Sequence, residues 1–270
     1  VNLLLSLFCG VALYLLCERK IGGLSGVFAL LLYCFSPNVL THSALATIDM
    51  GSGLLALLFI FAFERSWQNN SPKGELLAGV VLGLLLSAKF SNMAFVIFVF
   101  VLAAFKLYSK EVHWQRVARH TAVVLASAWF IFSLIYGFQG VFQIKGAMRH
   151  APNLTYLSPL LPTRAYAALG ETFTKQNMAS PPYIAGNRAA WTRSYYYPIV
   201  FLFKTPLGTL LLLIVLLANF PTLWREKKND LMWLLMPPLI FFATLWMIGY
   251  PLDGYRHLMV LHPLLFLAFG

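Results

Sequence analysis

Long apolar stretches recur along the chain and are separated by short polar connections. We place nine apolar runs at about residues 2–17, 24–40, 51–63, 75–88, 91–107, 120–138, 195–220, 231–249 and 257–270. A helix needs about 20 apolar residues to cross the hydrocarbon core of a bilayer. Helices are expected because an open sheet cannot satisfy its backbone hydrogen bonds in lipid. The pattern predicts an all-α integral membrane protein, a polytopic helical bundle of about nine spans.

Composition indicates the same class of protein. Hydrophobic residues make up 60% of the chain and charged residues 11%, with a net charge of +11. A soluble domain carries about 25% charged residues, so this chain cannot cover its surface with polar groups in water. We therefore expect membrane lipid as a partner and no nucleic acid. Cys9, Cys17 and Cys34 lie in apolar runs without metal-ligand spacing, which favours small core residues.

The charge of the connecting loops predicts which way the bundle faces. Alternate short loops hold eleven basic residues: Arg19, Lys20, Arg65, Lys73, Lys106, Lys110, Arg116, Arg119, Arg225, Lys227 and Lys228. Basic residues concentrate in cytoplasmic loops, so these loops mark the cytoplasm. Asp49, Lys89, the segment 139–194 and the turn before Arg256 then face the opposite side.

These runs divide the chain into three parts. Residues 1–138 form an N-terminal transmembrane bundle of about six spans, 139–194 a basic non-cytoplasmic loop, and 195–270 the C-terminal spans. A long loop of this kind is usually functional, and its prolines and aromatics favour an ordered lid with short helices. It is either a solvated loop beside lipid headgroups or a basic roof over an anionic substrate. Its candidate substrate-contacting residues are Arg164, Glu171, Tyr183 and Arg188.

Asp49 is the foremost candidate for chemistry, because an acid at a membrane boundary is costly unless it is capped, paired or used. It caps the helix that begins near Gly51, or belongs to a site, or does both. Lys89 reaches the headgroups or binds a phosphate oxygen together with Ser87, Ser91 and Asn92. Both residues are predicted on the outer side.

Three further polar residues are predicted near the same side. Lys204 lies within an apolar run next to Pro206, and a basic residue at membrane depth is a functional candidate. Arg256 can clamp a phosphate through two parallel hydrogen bonds. His257 polarises a leaving group, binds a metal, or is an ordinary interfacial residue. His42 lies seven residues before Asp49, which is two helical turns if that loop is helical, but that pair alone is a weak indication of a metal site.

This set of residues suits transfer of a group from a lipid phosphate. Cations hold the charge that develops on the leaving phosphate, and a carboxylate takes the proton of an acceptor hydroxyl or amine. A lipid carrier enters sideways between helices. The sequence contains no glycine-rich phosphate loop, no zinc-protease motif and no nucleophile elbow.

Four segments resemble a known family in their order and spacing. They are Phe35–Asp49, Gly83–Ser91, Tyr195–Pro206 and Gly254–Pro263. Over nearly all of its length, the chain resembles the phospholipid-carrier-dependent glycosyltransferases of the GT-C fold, which include protein O-mannosyltransferases and the lipid A aminoarabinose transferase.

The resemblance implies transfer of a sugar from a polyprenyl-phosphate donor to a protein or lipid-linked acceptor. The reaction would lie on the periplasmic face of a bacterial inner membrane. Asp49 matches the family's second acid, which positions the acceptor or a metal, while Lys89, Lys204 and Arg256 match positions near the carrier phosphate. The family's main catalytic acid precedes the matched region. We therefore expect an N-terminally truncated fragment that is inactive alone, with a divalent metal ion left open.

Two rival functions remain open from the sequence. A transporter or flippase of an anionic lipid-linked substrate would bind the phosphate with the same cations and break no bond, although we find no internal repeat of the kind common in transporters. A membrane scaffold would use these polar residues only as caps and interface anchors.

Overall fold

The structure, a computed structural model, describes residues 1–45, 47–110, 112–146, 152–178, 184, 186, 191–248 and 254–270. Within these residues the chain is helical and contains no β-strand, which confirms the predicted class. The α-helices are α1 (Asn2–Lys20), α2 (Gly23–Cys34), α3 (Pro37–Ala44), α4 (Asp49–Asn69), α5 (Pro72–Ala88), α6 (Ala94–Tyr108), α7 (Trp114–Ile135), α8 (Thr163–Met178), α9 (Trp191–Lys204), α10 (Leu207–Ile248) and α11 (Leu261–Phe269). Three 3₁₀ helices in the same ranges are Phe90–Met93, Pro152–Leu160 and Gly254–Val260.

Several helices are long and apolar enough to cross a membrane. Over the described ranges there are five, at Asn2–Lys20, Asp49–Asn69, Phe90–Tyr108, Trp114–Ile135 and Leu207–Met247. A sixth span results if α2 and α3 count as one, although they are bent by 62° at their break. The chain is therefore a helical membrane protein, while the number of nine spans and the large outer loop stay predictions.

Two helix breaks fall inside predicted apolar runs. The predicted run 24–40 is divided between α2 and α3, and the predicted run 195–220 is divided between α9 and α10 at Pro206. Proline ends a helix because it has no N–H and disfavours helical geometry in the residue before it. A further break follows the pattern: within α10 the backbone is not helical at Lys227 (φ −132°, ψ 37°), so two helices meet at a kink in the polar stretch near 221–230.

The α4–α5 hairpin positions the polar residues at the end of the bundle where α4 begins. Asn70 closes α4 in the left-handed conformation (φ 47°, ψ 39°), which asparagine tolerates. Pro72 then opens α5 at the position where its missing N–H costs nothing. Because this turn is tight, the two helices run antiparallel. The start of α4 at Asp49 and the end of α5 at Ala88 therefore lie at the same end of the hairpin.

Two glycines allow α5 and α7 to pack closely. A Cβ atom on Gly79 would lie 2.6 Å from the carbonyl oxygen of Val124, and one on Gly83 would lie 2.7 Å from that of Ala128. Small residues spaced by four positions commonly bring membrane helices together, because van der Waals packing replaces the hydrophobic drive that lipid removes. The α5 helix is therefore fixed on one side by α7 and on the other by α4.

An aromatic cluster joins α4, α6 and α10 at the centre of the bundle. The ring of Phe63 lies 5.9 Å from that of Phe98 and 5.6 Å from that of Trp233, both in edge-to-face geometry. Phe59 stacks on Phe63 at 5.2 Å. Such pairs stabilise by about 0.5–1.5 kcal/mol beyond the area they bury. The cluster fixes α4, whose first residue is Asp49.

The end of the bundle opposite Asp49 holds paired charges. Lys20 and Glu64 lie 2.5 Å apart, and Arg119 and Glu75 lie 3.0 Å apart. These basic residues belong to the loops that the charge pattern assigns to the cytoplasm. The structure therefore separates them from the end where α4 begins.

In the segment between α7 and α8, Lys145 bonds to several backbone carbonyl oxygens. Its Nζ donates to the carbonyl oxygens of Gly140 at 2.6 Å, Ser158 at 2.5 Å and Leu161 at 2.9 Å. The carbonyl of Leu160 also accepts a bond from Trp129 Nε1 of α7 at 2.7 Å. The predicted short helices are present, as Pro152–Leu160 and α8. The ammonium group of Lys145 therefore bonds to carbonyl oxygens of its own segment.

Candidate active site

A buried ion pair joins the first residue of α4 to the end of α5. Lys89 Nζ lies 2.5 Å from Asp49 Oδ1, and the Asp49 side chain is fully buried. Asp49 is inside the helix, with Ile48 at the capping position and no capping bond from a side chain. Lys89 is 8% exposed. Asp49 therefore binds Lys89 instead of capping α4, and Lys89 does not extend to the headgroups.

The break after α5 directs Lys89 inward. Lys89 has an extended backbone (φ −157°, ψ 137°), and a 3₁₀ helix follows at Phe90–Met93. Asn92 Nδ2 donates to the carbonyl oxygen of Leu85 at 2.8 Å and thus satisfies a group that the helix end leaves without a partner. Asn92, one of the polar residues around Lys89, thus has a structural role at this break.

Lys89 lines a cavity of about 450 Å³. Its polar lining includes Lys89, Arg256, His257 and Glu171, and Tyr197 contributes a buried ring. Most of the remaining wall is apolar and comes from five elements, with Leu86, Met93, Phe132, Leu161, Ala165 and Leu245 among its residues. The cavity therefore presents both cations and an apolar surface.

The backbone carbonyl of Arg256 contacts the ion pair. Lys89 Nζ donates to the carbonyl oxygen of Arg256 at 3.5 Å. Because Arg256 belongs to the 3₁₀ helix Gly254–Val260, this contact joins the last part of the chain to the end of α5. Two residues more than 160 positions apart are thereby brought to one cavity.

A buried hydrogen-bond network includes Tyr255, the residue before Arg256. The sequence analysis did not identify this network. Tyr255 Oη lies 2.9 Å from His262 Nε2 and 3.2 Å from Thr205 Oγ1. Asn38 Nδ2 lies 2.9 Å from the carbonyl oxygen of Lys204, 3.0 Å from Tyr255 Oη and 3.0 Å from His262 Nε2. The network joins α3, the break between α9 and α10, and the last helices. The sequence feature that could have revealed this network is the presence of polar residues within apolar runs.

Hydrogen counting limits the roles in this network. An asparagine Nδ2 has two hydrogens and accepts none. It therefore cannot donate to the Lys204 carbonyl, Tyr255 Oη and His262 Nε2 at once, and the tautomer of His262 decides whether Nε2 accepts or donates.

His42 approaches Asp49 from α3. The distance from His42 Nδ1 to Asp49 Oδ2 is 3.8 Å. The two residues do not lie on one continuous helix, because α3 ends at Ala44 and α4 begins at Asp49. The chain between these helices, and not a helical repeat of two turns, brings the side chains together.

The other candidate residues lie apart from this group or outside the described residues. Lys204 is exposed and is not among the residues that line the cavity, although its carbonyl oxygen belongs to the network. Arg164, on α8, is also exposed and outside the lining. Tyr183 and Arg188 lie outside the described residues. Four candidates, Asp49, Lys89, Arg256 and His257, are therefore brought together, with Glu171 at the cavity wall.

No group of three or more histidine, cysteine or acidic residues that could hold a metal ion occurs in the described ranges. His42 and Asp49 are two such side chains that meet at the start of α4, and the ammonium of Lys89 contacts the same carboxylate. This arrangement is poor in ligands for a dication.

These features define a multi-pass helical membrane protein with a cation-lined cavity at one end of its bundle. The model of the dolichyl-phosphate-mannose-protein mannosyltransferase family matches residues 1–136, which is more than half of the 270-residue chain. The chain belongs to this family and is a glycosyltransferase of the GT-C type. Neither the curated proteins nor the solved structures contain a match to it. The matched range includes Asp49 and Lys89.

Proposed function

We propose that the protein transfers a sugar from a polyprenyl-phosphate carrier to an acceptor on the non-cytoplasmic face of the membrane. The observation that carries this proposal is the cavity in which Lys89, Arg256 and His257 meet an apolar wall. A carrier with a phosphate head and an isoprenoid tail needs both kinds of surface. The cavity also lies at the end of the bundle away from the basic turns.

The charges of the site suit the leaving group. The donor is a phosphodiester, and it becomes a phosphomonoester when the bond between the sugar and the phosphate oxygen breaks. Negative charge on the phosphate therefore grows during the reaction. Cations that are already held in place stabilise that growing charge more than they stabilise the ground state. Lys89 is held by Asp49, and the backbone of Arg256 is held by Lys89.

The family name suggests mannose as the sugar, a dolichyl phosphate as the carrier and a protein as the acceptor. For this chain each of these is part of the proposal, and a lipid-linked acceptor is compatible with the same cavity. Location in a bacterial inner membrane stays a prediction.

Cleavage of a labelled donor tests the proposal. The full-length protein would be reconstituted in liposomes with a polyprenyl-phosphate sugar, and release of the sugar from the carrier would be measured. Arg256→Ala should lower kcat/KM by about a hundredfold, because a cation at the developing charge is removed. Arg65→Ala is the matched control, since this exposed arginine lies near the end of α4 away from Asp49 and does not line the cavity. Similar rates for both variants would contradict the proposed role of the cavity.

The same liposomes distinguish transfer from transport. If the protein moved the intact donor across the bilayer without breaking its bond, and Asp49→Asn left that movement unchanged, the flippase alternative would be supported instead.

A further inference from the structure

Four backbone carbonyl oxygens surround the ammonium of Lys145, and we refer to them as the carbonyl ring. Nζ lies 2.6 Å from the carbonyl oxygen of Gly140, 3.2 Å from that of Gln143, 2.5 Å from that of Ser158 and 2.9 Å from that of Leu161. An ammonium has three hydrogens, so the acceptors outnumber its donors. Proteins bind K⁺ in the same way, with carbonyl oxygens around a single charge. The carbonyl ring is therefore a cation site that the chain fills with its own side chain.

The carbonyl ring joins two stretches of chain. Two of its oxygens come from residues after α7, and two come from the 3₁₀ helix Pro152–Leu160 and the residue that follows it. Carbonyl oxygens carry partial negative charge, so they repel one another unless a positive charge lies between them. Other bonds between the stretches do not involve the ammonium, such as the bond from Phe142 N to the carbonyl oxygen of Pro159 at 2.7 Å. Loss of the ammonium should therefore loosen this junction without unfolding the bundle.

The second of these stretches leads directly into a wall of the candidate active-site cavity. Leu161 lines that cavity, and α8 begins two residues later at Thr163. The lining residues on α8 are Ala165, Ala168, Leu169, Glu171 and Thr172. Lys145 Nζ also lies 5.7 Å from the ring centre of Tyr166 on α8, which is within the range of a cation–π interaction. The ammonium thus holds both Leu161 and the first turn of α8.

Lys145 itself does not line the cavity. Its ammonium contacts the carbonyl ring, which supplies an acceptor for each of its hydrogens. The charge pattern of this segment suits either lipid headgroups or an anionic substrate, whereas the contacts of Lys145 are made to the backbone of the segment. An effect of Lys145 on the reaction would therefore act through the cavity wall.

We propose that Lys145 is a positioning residue for the donor. Its ammonium occupies the carbonyl ring and thereby holds Leu161 and the start of α8 in the arrangement that binds the donor. The part of this inference that concerns the donor rests on the proposed function, whereas the cation site does not depend on it.

Chemical rescue of Lys145→Ala tests the part that concerns the donor. In the full-length protein in liposomes, the variant should raise the KM for a polyprenyl-phosphate sugar about tenfold and change kcat little, if the wall is in its binding arrangement about a tenth of the time. Propylammonium supplies the three carbons and the ammonium that this variant lacks, and it should restore most of the wild-type KM. Tetramethylammonium has the same charge but no hydrogen to donate, and it should restore none.

Two further variants control the rescue. Lys145→Met should raise the KM as Lys145→Ala does, but propylammonium should not rescue it, because the methionine side chain fills the space that the amine would enter. Lys73→Ala, at an exposed lysine of α5, should behave as wild type with and without the amine.

Hydrogen exchange tests the cation site without donor or activity. Amides of Pro152–Leu160 and of α8 should exchange faster in Lys145→Ala than in wild type, because this part opens locally. Amides of α4 and α6 should exchange at the wild-type rate, and propylammonium should slow the exchange of the loosened part again. Unchanged exchange, or faster exchange that propylammonium does not reverse, would overturn the cation site.

The outcomes separate this inference from the proposed function. If propylammonium reverses the change in exchange but Lys145→Ala never alters the donor KM, Lys145 does not position the donor, and the proposed function stands. If the wild type cleaves no donor, the proposed function fails, together with the part of the inference that concerns the donor.

Discussion

The buried pair of Asp49 and Lys89 should be strongly coupled in stability. Coulomb's law at their separation of 2.5 Å gives about 7 kcal/mol of gross attraction at an effective dielectric of about 20. Loss of solvation offsets most of this energy, so the net contribution of the pair is small. Removal of one partner is different, because it leaves a charge buried without compensation. We expect Lys89→Met and Asp49→Asn each to lower the free energy of unfolding by about 3–5 kcal/mol.

A double-mutant cycle measures this coupling. The double variant Asp49→Asn/Lys89→Met should lie within about 1–2 kcal/mol of wild type, because no buried charge remains unpaired. The assay is reversible unfolding of the full-length protein in mixed micelles of a mild detergent and SDS. Lys73→Met is the matched control, since Lys73 is exposed and its loss should change stability by no more than about 0.5 kcal/mol.

Additive effects would refute this reasoning. If each single variant lost less than about 1 kcal/mol and the double variant lost their sum, the two side chains would not form a buried pair. The donor-cleavage assay adds a separate result: the double variant should be stable and yet impaired, because Lys89 is absent from the cavity.

Three further predictions concern packing and hydrogen bonding. Gly79→Ala should destabilise by about 1–3 kcal/mol in the same unfolding assay, because its Cβ would overlap α7; Gly208→Ala, where nothing lies within 4 Å, should not. Lys145→Met should speed limited proteolysis of the segment between α7 and α8, because several carbonyl oxygens lose their donor, and an unchanged rate would contradict its structural role. Tyr255→Phe should cost about 1–3 kcal/mol by removing the hydroxyl that bonds to His262 Nε2 and Thr205 Oγ1, and unchanged stability would be evidence against a buried network at this place.

Much of the site could be predicted from the sequence, because loop charge and hydropathy are enough to assign residues to one side of the membrane or the other. Asp49 and Lys89 were placed on one side of the membrane, and Arg256 on the same side, by the alternation of apolar runs. The structure brings all three together through the α4–α5 hairpin and the contact of Lys89 with the Arg256 backbone. The sequence could not show which side chains pair. An Asp49 that caps a helix and an Asp49 that pairs with a lysine have the same sequence pattern.

Contacts between distant segments and breaks inside apolar runs could not be predicted. Asn38 meets Tyr255 across 217 positions of sequence, and no periodic pattern encodes such a contact. Pro206 divides an apolar run into α9 and α10, and the hydropathy of that run does not reveal the break. His42 was weighed only as a weak metal ligand two helical turns from Asp49, whereas the chain between α3 and α4 brings the two side chains together by another path.

The position of the carrier phosphate tests the central claim most directly. A structure of the full-length protein in lipid nanodiscs would be determined with polyprenyl monophosphate, the product that remains after the sugar leaves. We predict the phosphate within hydrogen-bonding distance of Lys89 Nζ or the Arg256 guanidinium, with the isoprenoid chain along the wall formed by Leu86, Phe132 and Leu245. A phosphate bound at the opposite end of the bundle, near Lys20 and Arg119, would contradict it.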